Sequence, residues 1–290
     1  LEPGVSVRIE IFKTTGDVRL DVPLSAIGGQ GAFTKELEVA LLDGRVDVAV
    51  HSLKDLPTVT PDGLAITATP EREDPRDALV LRAGSVGEGA SLDNLAPGAV
   101  VGTSSLRRIA QLKHLRPDVR IKDLRGNVDT RLRKLDEGEY DALILASAGL
   151  RRLGLGARVS AAIPPDVMLP AVGQGSLGIE TRADDRETNA LVSRLDDRRT
   201  RAAVLAERAL LRSLGGGCQV PIAAHATVSD GRLSLDGLVA TLDGAEVLRD
   251  RLEGDAAEPD RLGEALAARL VERGASRLLD GLPVVFPHSR

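Results

Sequence analysis

The sequence predicts an α/β protein with more than one lobe, followed by a small α+β domain. Three observations predict it. At 290 residues the chain exceeds what a single hydrophobic core usually spans. From Val46 to Ala146 short apolar runs alternate with stretches of helical period, a pattern that predicts parallel sheets covered on both faces. Beyond Thr200 the order changes to one long amphipathic helix, three strands and a further helix.

Val5-Ser6-Val7-Arg8-Ile9-Glu10-Ile11 alternates apolar and polar residues with period two, which predicts a strand with one buried face. Phe33, Leu37, Ala40 and Leu41 form a helical stripe that Asp43-Gly44 ends. Val46 to Val50 reads as a short buried strand, and Pro57 and Pro61 close that unit. The alternation resumes with a strand at 99–101, a helix at 105–115 stopped by Arg116-Pro117, a strand at 119–124, a helix at 127–135 and a strand at 142–146. The charged run from Glu71 to Asp77, broken by Pro75, is a crossing between lobes. The glycine-rich stretch from Pro170 to Gly175 is a second. A helix at 200–214 offers Ala203, Leu205, Ala209, Leu210 and Leu214 for packing and runs into the loop around Cys218. Strands at 223–227, 232–239 and 246–251, linked by Asp-Gly turns, and a helix at 259–273 complete the chain.

Composition narrows the function. Aromatic residues make up 1 % of the chain, so the cores are aliphatic and base-stacking platforms are largely excluded. The net charge of −5 argues against a general polyanion partner. Between Gly102 and Arg152, however, twelve Lys or Arg face seven Asp or Glu, which points to a local anion site. No apolar run approaches the ~20 residues that span a bilayer, and no secretory signal is recognisable, so the cytoplasm is the expected location. His51, His114, His225 and His288 show no metal-ligand spacing.

The chemistry-bearing residues cluster at strand ends. Gly102-Thr103-Ser104-Ser105-Leu106-Arg107-Arg108 follows a strand and opens a helix. Hydroxyls, free N–H groups and guanidinium forks thus meet where open α/β sheets bind ligands. Helix capping alone would account for the hydroxyls, and adjacent arginines do not share one helix face. Arg125-Gly126-Asn127, with Arg131 one turn on, repeats the arrangement after the next strand, and Arg151-Arg152 follows the third. With six lysines in the whole chain, the basic groups are mostly guanidiniums, the better bidentate partners for carboxylates. Lys54-Asp55, also straight off a strand, is a held acid/base, a counter-charge for a cationic intermediate, or a solvent-exposed turn. Cys218 is the single cysteine and lies in Leu214-Gly215-Gly216-Gly217-Cys218-Gln219-Val220-Pro221. It is a bystander, a nucleophile or a covalent tether.

Taken together, several long stretches resemble the porphobilinogen deaminase family. They are Gly28-Gly29-Gln30-Gly31 with Phe33 to Glu38, Ala49 to Pro57, Gly102 to Arg108, Leu124 to Asn127, Leu169 to Gly175, and Gly216 to Pro221, all in consistent order. The resemblance implies two lobes like periplasmic binding proteins, with parallel or mixed sheets and helices on both faces, plus the small C-terminal α+β domain. It divides the chain into 1–74 with 175–196, 77–171, and 198–290. It also implies a transferase that joins four porphobilinogen units head to tail, releasing ammonia, to give hydroxymethylbilane for haem and other porphyrins. By this likeness Cys218 holds a dipyrromethane cofactor through a thioether, and Asp55 is the catalytic carboxylate. Lys54, Thr103, Ser104, Ser105, Arg107, Arg108, Arg125, Gly126, Arg131, Arg152 and Gln174 bind the cofactor and the acidic arms of the growing chain. The family's Arg-x-Ser-x-Leu-Ala motif has no match here, and Gln30 stands where many members have Lys. A monomer acting on a small molecule, with no nucleic acid and no membrane, is the expectation. The competing one is a two-lobed carboxylate-binding protein without catalysis, or an inactive family member.

Overall fold

A computed structural model describes residues 4–12, 14, 34–82, 89–216, 220–280 and 282. Three sheets organise them. The first is built around helix α1 (Lys35–Leu42) and strands β1 (Ala49–Ser52), β2 (Leu64–Ala68) and β8 (Leu177–Arg182), in the order β1-β8-β2 and antiparallel throughout. α1 stops at Asp43, where Gly44 takes the left-handed φ of +68° that only glycine adopts cheaply. Helix α5 (Arg186–Val192) follows β8 and is capped by Asp185, which accepts from the Thr188 N–H.

The second sheet has five strands: β3 (Asp77–Leu81), β4 (Val100–Gly102), β5 (Arg120–Lys122), β6 (Ala142–Ala146) and β7 (Ala161–Ile163), ordered β5-β4-β6-β3-β7. β4 is parallel to both β5 and β6, while β3 runs antiparallel to β6 and β7. Helices α2 (Leu106–Leu115), α3 (Val128–Asp136) and α4 (Ser147–Arg152) connect them. Successive strand residues feed two separate cores. Leu79, Ala142 and Ile144 pack with Leu112 and Met168, whereas Val80, Leu143 and Leu145 pack with Leu135 and Leu150. Both faces are therefore dry, which is why these strands read as unbroken apolar runs. Tyr140 lies in the second of these cores, donates its hydroxyl to the Asp123 carbonyl at 2.6 Å, and carries Lys122 over its ring at 4.6 Å.

The third sheet, β9 (Ile222–Ser229), β10 (Arg232–Ala240) and β11 (Val247–Asp255), is an antiparallel meander. Helices α6 (Arg198–Ser213), α7 (Pro259–Glu272) and α8 (Ala275–Leu279) cover it. α6 and α7 cross closely at Gly263, where any side chain would run into the Ala206 carbonyl.

Four expectations need correction. Residues 5–11 form no strand, and Val7 and Ile11 are 78 % and 89 % exposed. Period-two alternation supplies an apolar face, but no described strand lies alongside to complete a ladder. Only the second sheet has the parallel pairs that the alternation predicts, and it is mixed, as the family likeness allows, because β3 runs against both its neighbours; the first sheet is antiparallel, because β2 and β8, unread in the sequence, complete it around β1. Asp77 is the first residue of β3 rather than the end of a crossing. On α6 burial spreads beyond the expected stripe: Val204, Ala206, Glu207 and Arg208 are buried while Leu205 is half-exposed, because the helix has neighbours on several sides.

Candidate active site

β1 leads into a single 3₁₀ turn, Leu53–Asp55, which places Lys54 and Asp55 side by side. Leu53 is the turn's root. Its N–H donates to the Ser176 carbonyl at 3.0 Å, and its side chain lies against Gly173 and Gly178. A Cβ on Gly178 would come within 2.9 Å of both Leu53 and Leu56, so a bare backbone is what lets the turn seat. Both residues are partly buried. Burial pushes the Asp55 carboxyl above the usual carboxylate range, against the pull of Lys54, then His51 and Arg131. Burial likewise lowers Lys54, with Asp55 opposing and Arg108 assisting. Beneath them His51 Nε2 meets the buried Glu180 carboxylate at 3.1 Å.

Opposite lies the basic edge of the second sheet. Because β4, β5 and β6 are mutually parallel, their carboxyl ends share one side, and Thr103-Ser104-Ser105, Arg125 and Arg152 all follow those ends. The three hydroxyls do different things. Ser104 spans to the neighbouring strand, donating to the Leu124 carbonyl at 2.7 Å and accepting from its N–H at 3.0 Å. Thr103 is buried and accepts from the Ser105 N–H at 3.3 Å. Ser105 occupies the N-cap position of α2 without making a side-chain cap, so capping does not account for it.

Arg107 and Arg108, expected on different faces, turn inward together onto Asp77. Arg107 meets that carboxylate at 2.6 Å and Arg108 at 2.8 Å, and Arg107 also donates to the Leu169 carbonyl at 2.8 Å. Their long arms converge because both leave the first turn of α2 beside the start of β3. Burial disfavours the Asp77 charge, yet the two guanidiniums prevail and hold the carboxyl far below its usual range. Gln174 closes this cluster, its amide donating to Asp77 at 2.9 Å and to the Pro75 carbonyl at 2.7 Å.

On the next strand end, Gly126 adopts φ +108° and leaves room for Thr130, while Asn127 caps α3 by accepting from the Thr130 N–H at 2.9 Å. Arg131 donates to the Gly126 carbonyl at 2.7 Å. Burial, then the charges of Arg108 and Arg125, depress its pKa, with Asp123 and Asp55 opposing. Arg152 donates to the Gly175 carbonyl at 2.7 Å. There the two crossings touch: the Glu73 N–H bonds the Gly175 carbonyl, and a side chain on Gly175, at φ +89°, would strike Glu73.

Electrostatic reach thus unites Lys54, Asp55, Arg107, Arg108 and Arg131, with Arg125 beside them. Cys218, the Gln30 loop and Phe33 lie outside the described residues. Asp77, Glu180 and Glu207 are site residues that sequence reasoning missed. Only Asp77 left a trace, since an acidic residue just after Pro75, directly before an apolar run, is a strand opening. Among the described residues no helix is long and apolar enough to cross a membrane.

Residues 1–190 match the family described as porphobilinogen deaminase, dipyromethane cofactor binding domain, and residues 201–272 match the porphobilinogen deaminase C-terminal domain. The porphobilinogen deaminase of Thiobacillus denitrificans is 53 % identical over 283 residues, 98 % of this chain and 91 % of that protein. That of Syntrophobacter fumaroxidans is 51 % identical over 280 residues, 97 % and 89 %. An ancestral cationic amino acid solute binding protein shares 16 % identity at a TM-score of 0.35 over 56 % of this chain and 67 % of its own, too loose a likeness to bear weight. Two family models in sequence order and relatives identical at half their positions agree: the chain belongs to the porphobilinogen deaminase family.

Proposed function

We propose that the site around Asp55 carries out the family's reaction, in which four porphobilinogen units are joined head to tail, each losing ammonia, to give linear hydroxymethylbilane. The chain is accordingly a transferase of tetrapyrrole biosynthesis with a dipyrromethane cofactor. One observation carries the assignment of the site. Asp55 is a carboxylate held on a single 3₁₀ turn, where burial raises its pKa, within electrostatic reach of Lys54 and Arg131.

The residues present fit a dipyrromethane. Such a group carries acetate and propionate arms, which call for guanidinium and hydroxyl donors. Arg131 sits beside the like charges of Arg108 and Arg125, and the buried Nε of Arg107 has no hydrogen-bond partner among the described residues. When bound, the cofactor supplies the pyrrole carbon that is extended and a covalent anchor. Lys54, Arg107, Arg108, Arg125, Arg131 and Arg152, with Thr103, Ser104, Ser105, Gly126 and Gln174, hold the acidic arms. Asp55 stabilises the positive charge that develops near the substrate's pyrrole N–H as ammonia departs. In a poorly solvated site that interaction is far stronger than in water. Cys218 serves as the tether.

The same reading makes the protein a cytoplasmic monomer that binds neither nucleic acid nor membrane. The acidic net charge and the scarcity of aromatic rings support the first exclusion. Light scattering of the purified protein tests the oligomeric state.

Intact-mass spectrometry tests the function itself. A covalent adduct of two pyrrole rings that vanishes in Cys218→Ser is expected, as is an Asp55→Ala variant that keeps the adduct but loses nearly all turnover. Unmodified active protein, or full turnover in Asp55→Ala, would overturn the respective assignment.

A further inference from the structure

The turn that carries Asp55 is anchored differently at its two ends. On entry the sheet fixes it, through the pairing of His51 opposite Gly178 and the bond from the Leu53 N–H to Ser176. On exit, the carbonyls of Leu56 and Pro57 both accept from one guanidinium, that of Arg208, at 3.5 and 2.6 Å. Arg208 is 6 % exposed and lies on α6. Two neighbours on the same helical stripe make matching contacts. Val204 packs with Leu53 and Leu56, and Arg201 donates to the carbonyls of Ile66 and Thr67 at 3.4 and 2.8 Å. α6 therefore lies along β2 and the turn, and its own C-terminal end leads through Gly215 and Gly216 toward the cysteine loop.

We propose that Arg208 is a positioning residue for Asp55: it holds the exit of the catalytic turn from the domain that bears Cys218. This rests on the assignment of Asp55 made above. A guanidinium donating to two successive carbonyls makes charge-assisted bonds, roughly twice as strong as neutral ones. Leu56 follows Asp55 directly in the chain, so release of the Leu56 and Pro57 carbonyls is transmitted straight to the carboxylate. A displacement of about 1 Å at a reacting group costs on the order of 10²-fold in rate. The arrangement also makes α6 the common support of the acid and of the segment leading to the tether.

The test compares Arg208→Met and Arg208→Lys in the cofactor-loaded full chain, with loading verified by intact mass. Arg208→Met is expected to lower kcat about 10- to 100-fold with KM for porphobilinogen changed less than about twofold. Arg208→Lys, which retains one charged donor, recovers part of that loss. In an Asp55→Glu background the Met substitution adds less than about threefold, because both changes act through one carboxylate. Unchanged kcat in Arg208→Met, or full multiplication of the two losses, overturns the proposal. If Arg208→Met fails to fold, Arg208→Lys carries the test: a several-fold drop in kcat at constant KM upholds it, and parental kcat sinks it. An inactive Asp55→Ala beside a fully active Arg208→Met removes only the role of Arg208, whereas an active Asp55→Ala removes the assignment beneath it.

Discussion

Arg72 grips Glu207 through two parallel hydrogen bonds, 2.6 and 3.2 Å long, at a point where the Glu207 side chain has no exposed surface. The pair joins the first crossing to α6, and Glu207 also accepts from the N–H groups of Gly173 and Ala226 at 2.7 and 2.8 Å. One carboxylate thus gathers four chain segments. Removing Arg72 alone strands a buried anion, and the loss for such a change is about 3–5 kcal/mol. Urea unfolding of Arg72→Met should show that loss; a change below about 1 kcal/mol would mean the ion pair does not brace the crossing.

Asp77 makes a second such knot, with an opposite dependence on its partners. Its carboxyl is depressed by Arg107 and Arg108, so its contribution is present above the unfolded-state value of about 3.9 and is lost as pH falls toward the folded-state value. Asp77→Asn should therefore be clearly less stable than the parent at neutral pH, and the gap should narrow by about 1 kcal/mol at pH ~3. Denaturant titrations at the two pH values check this. A gap that widens in acid contradicts the assignment of Asp77 as the ionised partner.

For Asp55 the sign reverses. Burial raises its pKa, so turnover that needs the carboxylate is lost on acidification at a higher pH than an ordinary aspartate would show. Lys54 is the strongest influence pulling that pKa down, and Lys54→Met should move the acid limb of kcat further up in pH. Single-turnover rates across the acid range measure it. An acid limb that stays put or moves down would show that Lys54 does not govern the Asp55 charge.

Gly175→Ala should be costly out of proportion to its size. The left-handed φ of +89° disfavours any Cβ, and the added methyl would meet the Glu73 backbone of the other crossing. Thermal melting is expected to fall by several degrees, equivalent to about 1–3 kcal/mol, and Arg152, which bonds the Gly175 carbonyl, would shift with it. An unchanged melting temperature would show that the crossings have room to separate.

Much of the fold was readable where local signals suffice. β6 spans the residues its unbroken apolar run indicated, and α2 and α3 start one residue after the polar groups at their N-caps. β8 escaped notice because Gly178, Glu180 and Thr181 interrupt its apolar pattern. Those residues are buried for long-range reasons, a fit against Leu53 and a pairing of Glu180 with His51 across 129 positions. At the site, the positively charged strand ends could be read from spacing. What Arg107 and Arg108 bond to could not, since Asp77 lies 30 and 31 positions away, in a charged run that reads as a crossing between lobes. Arg208 gave no local sign at all, because its partners are backbone carbonyls, which carry no sequence signature.

Tyr140 is the sole tyrosine of a chain with no tryptophan, and its hydroxyl is tied to the strand end that leads into Arg125. The protein is consequently almost transparent in the near ultraviolet. Light absorbed by a bound oligopyrrole can be followed against that dark background, while emission from one phenol reports on the arginine-bearing edge without any label.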